Sequence, residues 1–189
     1  EESFRHHEFT VFCDAAHRQP TKDLFMRERP IADYNWDGIC ENGLIERVVL
    51  LDKLRETRAL LGFQRIDVQA QHQLDLGVLK QMMTGNQNAD WLPAHIVRGE
   101  GIFIKFNDNL LNEWEGHPGV TEHFGRFNGR VAALDLRYQD GGLNARFILL
   151  HTLAHLLIRR LTYNCGYGSS SLRERIYCHN ANPQEQMNG

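Results

Sequence analysis

Between Leu143 and Leu161 the chain reads LNARFILLHTLAHLLIRRL, and apolar side chains recur there at steps of three and four. Leu143, Phe147, Leu150, Ala154, Leu157 and Leu161 fall on one stripe, the period of an α-helix rather than a strand. Ile148, Leu149, Leu153 and Leu156 fill the other faces, so the pattern predicts a helix that is apolar nearly all round, buried and central to the fold. Arg159 and Arg160 complement the negative end of its dipole, and Cys165-Gly166 predicts its stop. A helix of this kind needs other elements to cover it, and the rest of the chain must supply them.

The covering elements are mixed. EFTVFC (Glu8 to Cys13) alternates polar and apolar residues and predicts a short strand within an otherwise irregular segment 1–43, punctuated by Pro20, Pro30, Gly38 and Gly43. The β-branched run Ile45 to Leu50 predicts a strand, after which Asp52 caps an expected helix ending at Gly62. Asp67 to Asp90, rich in Gln and Asn, predicts loose structure. WLPAHIVRGEGIFIKF (Trp91 to Phe106) predicts a hairpin turning at Arg98-Gly99-Glu100-Gly101. Asn107 or Asp108 starts a helix with Leu110, Leu111 and Trp114 on one face, and Pro118 opens another containing Val120, Phe124, Phe127 and Val131. Ser171-Leu172-Arg173-Glu174 fits a capping box; an extended chain would instead put Arg173 and Arg175 on one face. The expected class is α+β, with short strands and a hairpin packed around a buried C-terminal helix.

Composition narrows the function classes. A chain of 189 residues with 42% hydrophobic and 24% charged residues can bury a real core. A net charge of −3 supplies no global attraction for nucleic acid, so any such contact must be local. Cys13, Cys40, Cys165 and Cys178 form no CxxC pair, which predicts reduced thiols and no zinc finger or ribbon. The opening residues are not expected to form a signal peptide. The apolar run Phe147 to Ile158 is shorter than the roughly 20 residues a membrane span needs, so the expectation is a cytoplasmic protein without a membrane partner.

Three patterns are candidates for chemistry. His151 and His155, at i and i+4, share a helix face as two metal ligands would. Thr152 stands where a zincin carries its catalytic glutamate, and the sequence does not rank a third ligand among His95, His117, His123 and His179. The structural reading, in which both imidazoles lock the helix to buried backbone or carboxylate groups, is therefore placed ahead of a metal-dependent hydrolase. No catalytic, cofactor-binding or metal residue is assigned to this chain, and no stoichiometric zinc is expected. Cys165 as a nucleophile ranks below simple packing. The elbow Gly166-Tyr167-Gly168-Ser169-Ser170-Ser171 offers backbone N–H groups to a phosphate. No GxxxxGK[ST] sequence accompanies it, so nucleotide hydrolysis has no apparatus here. Arg159, Arg160, Arg173 and Arg175 surround this elbow and form the candidate contact with DNA or a partner.

The segment LHTLAHLLIRRLTYNCGYGSSSLRERIYC resembles the helicase-associated domain shared by DrmB-like subunits of DISARM antiphage systems and the C-terminal zinc-binding domains of MrfA-type helicases. RVVLLDKLRETRALLGFQRI and WLPAHIVRGEGIFIKF resemble the preceding segments in the same order, so the likeness spans most of Leu44 to Cys178. The resemblance implies a DrmB-like domain over 44–189 that stops before the family's zinc-binding cysteine cluster, with zinc expected only in the longer protein. It implies a non-catalytic accessory subunit that partners a superfamily-2 helicase and meets DNA through that complex. A structural scaffold of the defence complex, without DNA contact, is the remaining alternative.

Overall fold

Phe9 and Phe12 lie three residues apart, and both are buried on one side of the first element, helix α1 (Glu2–Cys13). The strand expected at Glu8 to Cys13 is thus a helix. Its aromatic pair satisfies a helical face better than the alternation satisfies a sheet. The computed structural model describes residues 2–31, 43–60, 76–133, 144–179 and 187–189. Leu143, Cys40 and the Gln-rich stretch before α2 lie outside the described residues.

After a 3-10 turn at Ala15–Arg18, the elements are β1 (Leu24–Arg29), β2 (Ile45–Ala59), α2 (Leu76–Thr84), β3 (Ala94–Phe106), α3 (Asp108–Gly116), α4 (Pro118–Ala133) and α5 (Ala145–Cys165). A second 3-10 turn (Ser169–Ser171) and the short strands β4 (Cys178–His179) and β5 (Met187–Asn188) follow. β1, β2 and β3 form one sheet in that order, and β4 pairs antiparallel with β5. The class is α+β, as the sequence predicts.

An expected helix and an expected turn are absent because strands run through them. β2 continues past Asp52 to Ala59, with exposure alternating residue by residue from Asp52 onward. Being the middle strand of the sheet outweighs the helical propensity of DKLRETRA. Likewise Ala94–Phe106 is one strand rather than a hairpin. Gly99 and Gly101 both stay out of the left-handed region. At Gly101 a Cβ would lie 3.3 Å from Leu51 Cδ1, so glycine there admits β2 closely instead of making a turn.

The chain divides into two compact units: Glu1–Gln19, Met26–Leu50 and Ile102–Gly189 in the first, Pro20–Phe25 and Leu51–Gly101 in the second. Within the second, Arg55 pairs with Asp23 at 3.0 Å and the Leu60 amide bonds the Pro93 carbonyl. Within the first, Ile45, Val48, Phe106, Leu111, Leu150 and Ile176 form a buried cluster. Beside α1, the rings of Phe9 and Phe12 pack edge-on or tilted against Phe103 and Tyr177 at 5.3–6.2 Å.

Helix α5 is seated on this core only along its first half. Leu150 is 4% exposed and Arg146 fully buried, whereas Leu157 is 39% and Leu156 54% exposed. The expectation of burial along the whole helix is corrected here. A 21-residue helix is about 30 Å long, and α3 and α4 pack against it without covering all its faces.

Candidate functional site

Local capping fixes where α5 begins and ends. The Asn144 side chain accepts the Phe147 amide at 2.7 Å, and Gly166 closes the helix at φ 72°, a left-handed conformation that favours glycine. Within the first turn, the buried Arg146 guanidinium donates to Asn112 Oδ1 at 2.6 Å and Glu115 Oε2 at 2.5 Å, which ties α5 to α3. That anchor sets the rotation of the helix and hence the direction of the histidine pair that follows.

Past Gly166 the chain turns back. The Ser171 amide and hydroxyl both donate to the Gly168 carbonyl, at 2.9 and 2.6 Å. The anion cradle expected in the elbow thus has its last amide engaged internally. The chain leaves the turn with an extended backbone at Leu172, without the capping-box helix, and exposure alternates from Leu172 to Arg175 as it does along a strand. Glu174 points back at α5. Its Oε1 lies 2.8 Å from His151 Nδ1 and its Oε2 lies 3.6 Å from His155 Nε2. The two imidazoles meet edge-to-face with centroids 4.5 Å apart, and Phe147 stacks on His151 at 5.7 Å. Donor atoms of all three residues fall within 4.8 Å of one another.

The sequence pointed to the histidines but not to Glu174, which it treated as part of a capping box. The usable signal was the alternation of Arg173, Glu174 and Arg175, which sends the carboxylate opposite to the arginines once the segment is extended. Of the other histidines weighed from sequence, His95, His117 and His123 do not join the group, and the side chain of His179 lies outside the described residues.

The four candidate arginines divide. Thr152, His155, Leu156, Arg159, Arg160 and Tyr163 are all exposed and fall at helical spacing, so one open face of α5 carries two cations and a tyrosine 82% exposed. Arg173 is also exposed. Arg175 has a different role, because its Nε donates to Glu8 Oε2 at 2.5 Å. The Tyr177 hydroxyl donates to the same oxygen at 3.1 Å, and Arg5 donates to the Ile176 carbonyl. Burial, together with the Glu8 charge, pushes the Tyr177 phenol far above its usual range. Arg175 therefore helps fasten the extended segment to α1.

The cysteines offer little chemistry. Burial pushes the Cys13 and Cys178 thiols up, and the Cys178 thiol also faces Asn144 Oδ1 at 3.7 Å. Cys165 is exposed, but it lies ten helical positions beyond His155, about 15 Å along the axis. No Cys–His dyad forms between them. Among the described residues no helix is long and apolar enough to cross a membrane.

No protein-family model matches the chain. Among curated proteins it is similar to the DISARM protein DrmB of Bacillus paralicheniformis, 34% identical over 141 residues that cover 70% of this chain and 24% of the relative. The chain thus spans about a quarter of the length of the curated relative it matches. By that match the chain belongs to the DrmB-like family.

Proposed function

We propose that this chain is a non-catalytic part of a cytoplasmic antiphage-defence subunit that partners a superfamily-2 DNA helicase and helps the complex engage DNA. The similarity to DrmB carries the assignment to defence. The open face of α5 supports the DNA component: Arg159 and Arg160 present cations beside the exposed Tyr163, and Arg173 adds another exposed cation. Guanidinium groups with an adjacent aromatic ring suit a phosphate backbone and an unpaired base, whatever the sequence. With a chain charge of −3, this face would have to act locally. The motor and its nucleotide would reside in the partner.

The test uses the intact DrmB-like protein assembled with its helicase. Replacing Arg159, Arg160 and Arg173 with alanine should weaken binding to unrelated DNA sequences alike and reduce the salt slope by about one unit per lost contact. Unchanged affinity and slope in an assembled complex would remove DNA from this face. Loss of assembly would give the arginines to the helicase interface instead.

A further inference from the structure

We propose that His151, His155 and Glu174 bind one divalent transition-metal ion of the zinc class, with solvent completing its coordination. Two imidazoles one helical turn apart and one carboxylate from a separate segment make a compact set of three donors. Zinc–nitrogen and zinc–oxygen bonds of about 2.0–2.2 Å place neighbouring donors of a tetrahedral site roughly 3.2–3.6 Å apart. The observed approaches of 2.8 Å and 3.6 Å bracket that separation, so small side-chain rotations would admit an ion.

The second observation is a missing hydrogen bond. His151 Nδ1 and Glu174 Oε2 are enclosed atoms with no hydrogen-bond partner among the described residues. His151 Nδ1 comes within 2.8 Å of Glu174 Oε1 without the alignment that an N–H···O bond requires. A histidine serving only to lock the helix would use that nitrogen to donate. A nitrogen and a carboxylate that converge without bonding are instead arranged as lone pairs around a shared electrophile. Phe147, stacked parallel to the His151 ring within 9°, holds the imidazole plane in place. The donor set, two neutral imidazoles and one carboxylate, suits the borderline softness of zinc better than calcium or magnesium, which favour oxygen. Thr152 occupies the position of a zincin base and is exposed, so the ion's role here is to clamp the extended segment 172–177 onto α5. The site uses none of the chain's cysteines and is separate from the cysteine cluster that the family resemblance implies.

The experiment is a titration of the chelator-stripped full chain with zinc(II), and with cobalt(II) as a spectroscopic probe, at neutral pH. Binding of about one ion per chain is expected, with cobalt d–d bands of low coordination number and a melting temperature that rises with zinc. Glu174→Gln and His155→Ala should each weaken binding at least about tenfold, while His123→Ala on α4 leaves it unchanged. His155 is exposed enough that its replacement leaves the fold intact, which circular dichroism checks. Failure of the unaltered chain to bind zinc would overturn the proposal. So would binding that survives in both variants, or that disappears only in Cys165→Ser. None of these readouts involves DNA or the helicase, so the result stands apart from the proposed function.

Discussion

Arg146→Ala is the most informative single perturbation of this fold. The side chain is completely buried, and its guanidinium donates to Asn112 Oδ1 at 2.6 Å and to Glu115 Oε2 at 2.5 Å. Truncation leaves a carboxylate and an amide oxygen facing a cavity. Removing one partner of a buried ion pair costs about 3–5 kcal/mol, chiefly because the remaining charge has lost its counterion. Glu115 is 22% exposed at its side chain and recovers some hydration, which favours the lower end, about 3 kcal/mol. Against a total stability of about 5–15 kcal/mol, that loss is large. With a urea slope of about 1–3 kcal/mol/M, the midpoint should fall by roughly 1–3 M. Arg146→Lys should recover part of the loss, since an ammonium restores the charge but not the planar fork. A cycle with Glu115→Gln should give a coupling of about 1–3 kcal/mol. A loss under about 0.5 kcal/mol, the scale of an ordinary surface change, or a coupling near zero would refute this account of how α5 is anchored.

The uneven burial of α5 makes a paired expectation. Leu150→Ala should cost about 2–5 kcal/mol, whereas Leu157→Ala, at a site 39% exposed, should cost under about 1 kcal/mol; urea melts of both variants compare them directly. At the other end of the helix, Gly166→Ala should cost about 1 kcal/mol. A Cβ there meets nothing within 4 Å, so the penalty is conformational, and thermal melting of the variant measures it.

How much of this was legible depended on whether the signal was local. Asn107, Pro118 and Gly166 punctuate the chain where α3, α4 and α5 begin or end, because caps and helix stops act over one turn of backbone. Asp52 and the glycines at 99 and 101 carried equally plausible local signals, yet the sheet overrode them. The strand is stabilised by neighbours far away in sequence, and Gly101 answers to Leu51 rather than to its own flanks. The helical run of apolar residues from Phe147 to Leu161 was also real, but periodicity states what a face can bury, not how much cover the remaining chain provides. Leu156 and Leu157 are the residues left over.

The site follows the same logic with one more step. The i, i+4 spacing of His151 and His155 is a property of one helix and can be read directly. Glu174 meets them only because Gly166 turns the chain and residues 172–177 extend beside α5. The segment is held on two sides: Glu174 reaches His151 and His155, while Arg175, the Ile176 carbonyl and Tyr177 are bound to α1. Since side chains alternate along an extended chain, turning Glu174 inward turns Arg173 outward. The same turn that assembles three donor atoms therefore sets the orientation of an arginine on the exposed side. Arg159 and Arg160 owe nothing to it, being fixed by the helix that Arg146 anchors. The candidate cations thus rest on two separate supports, which is why charge counting along the sequence grouped them and the fold divides them.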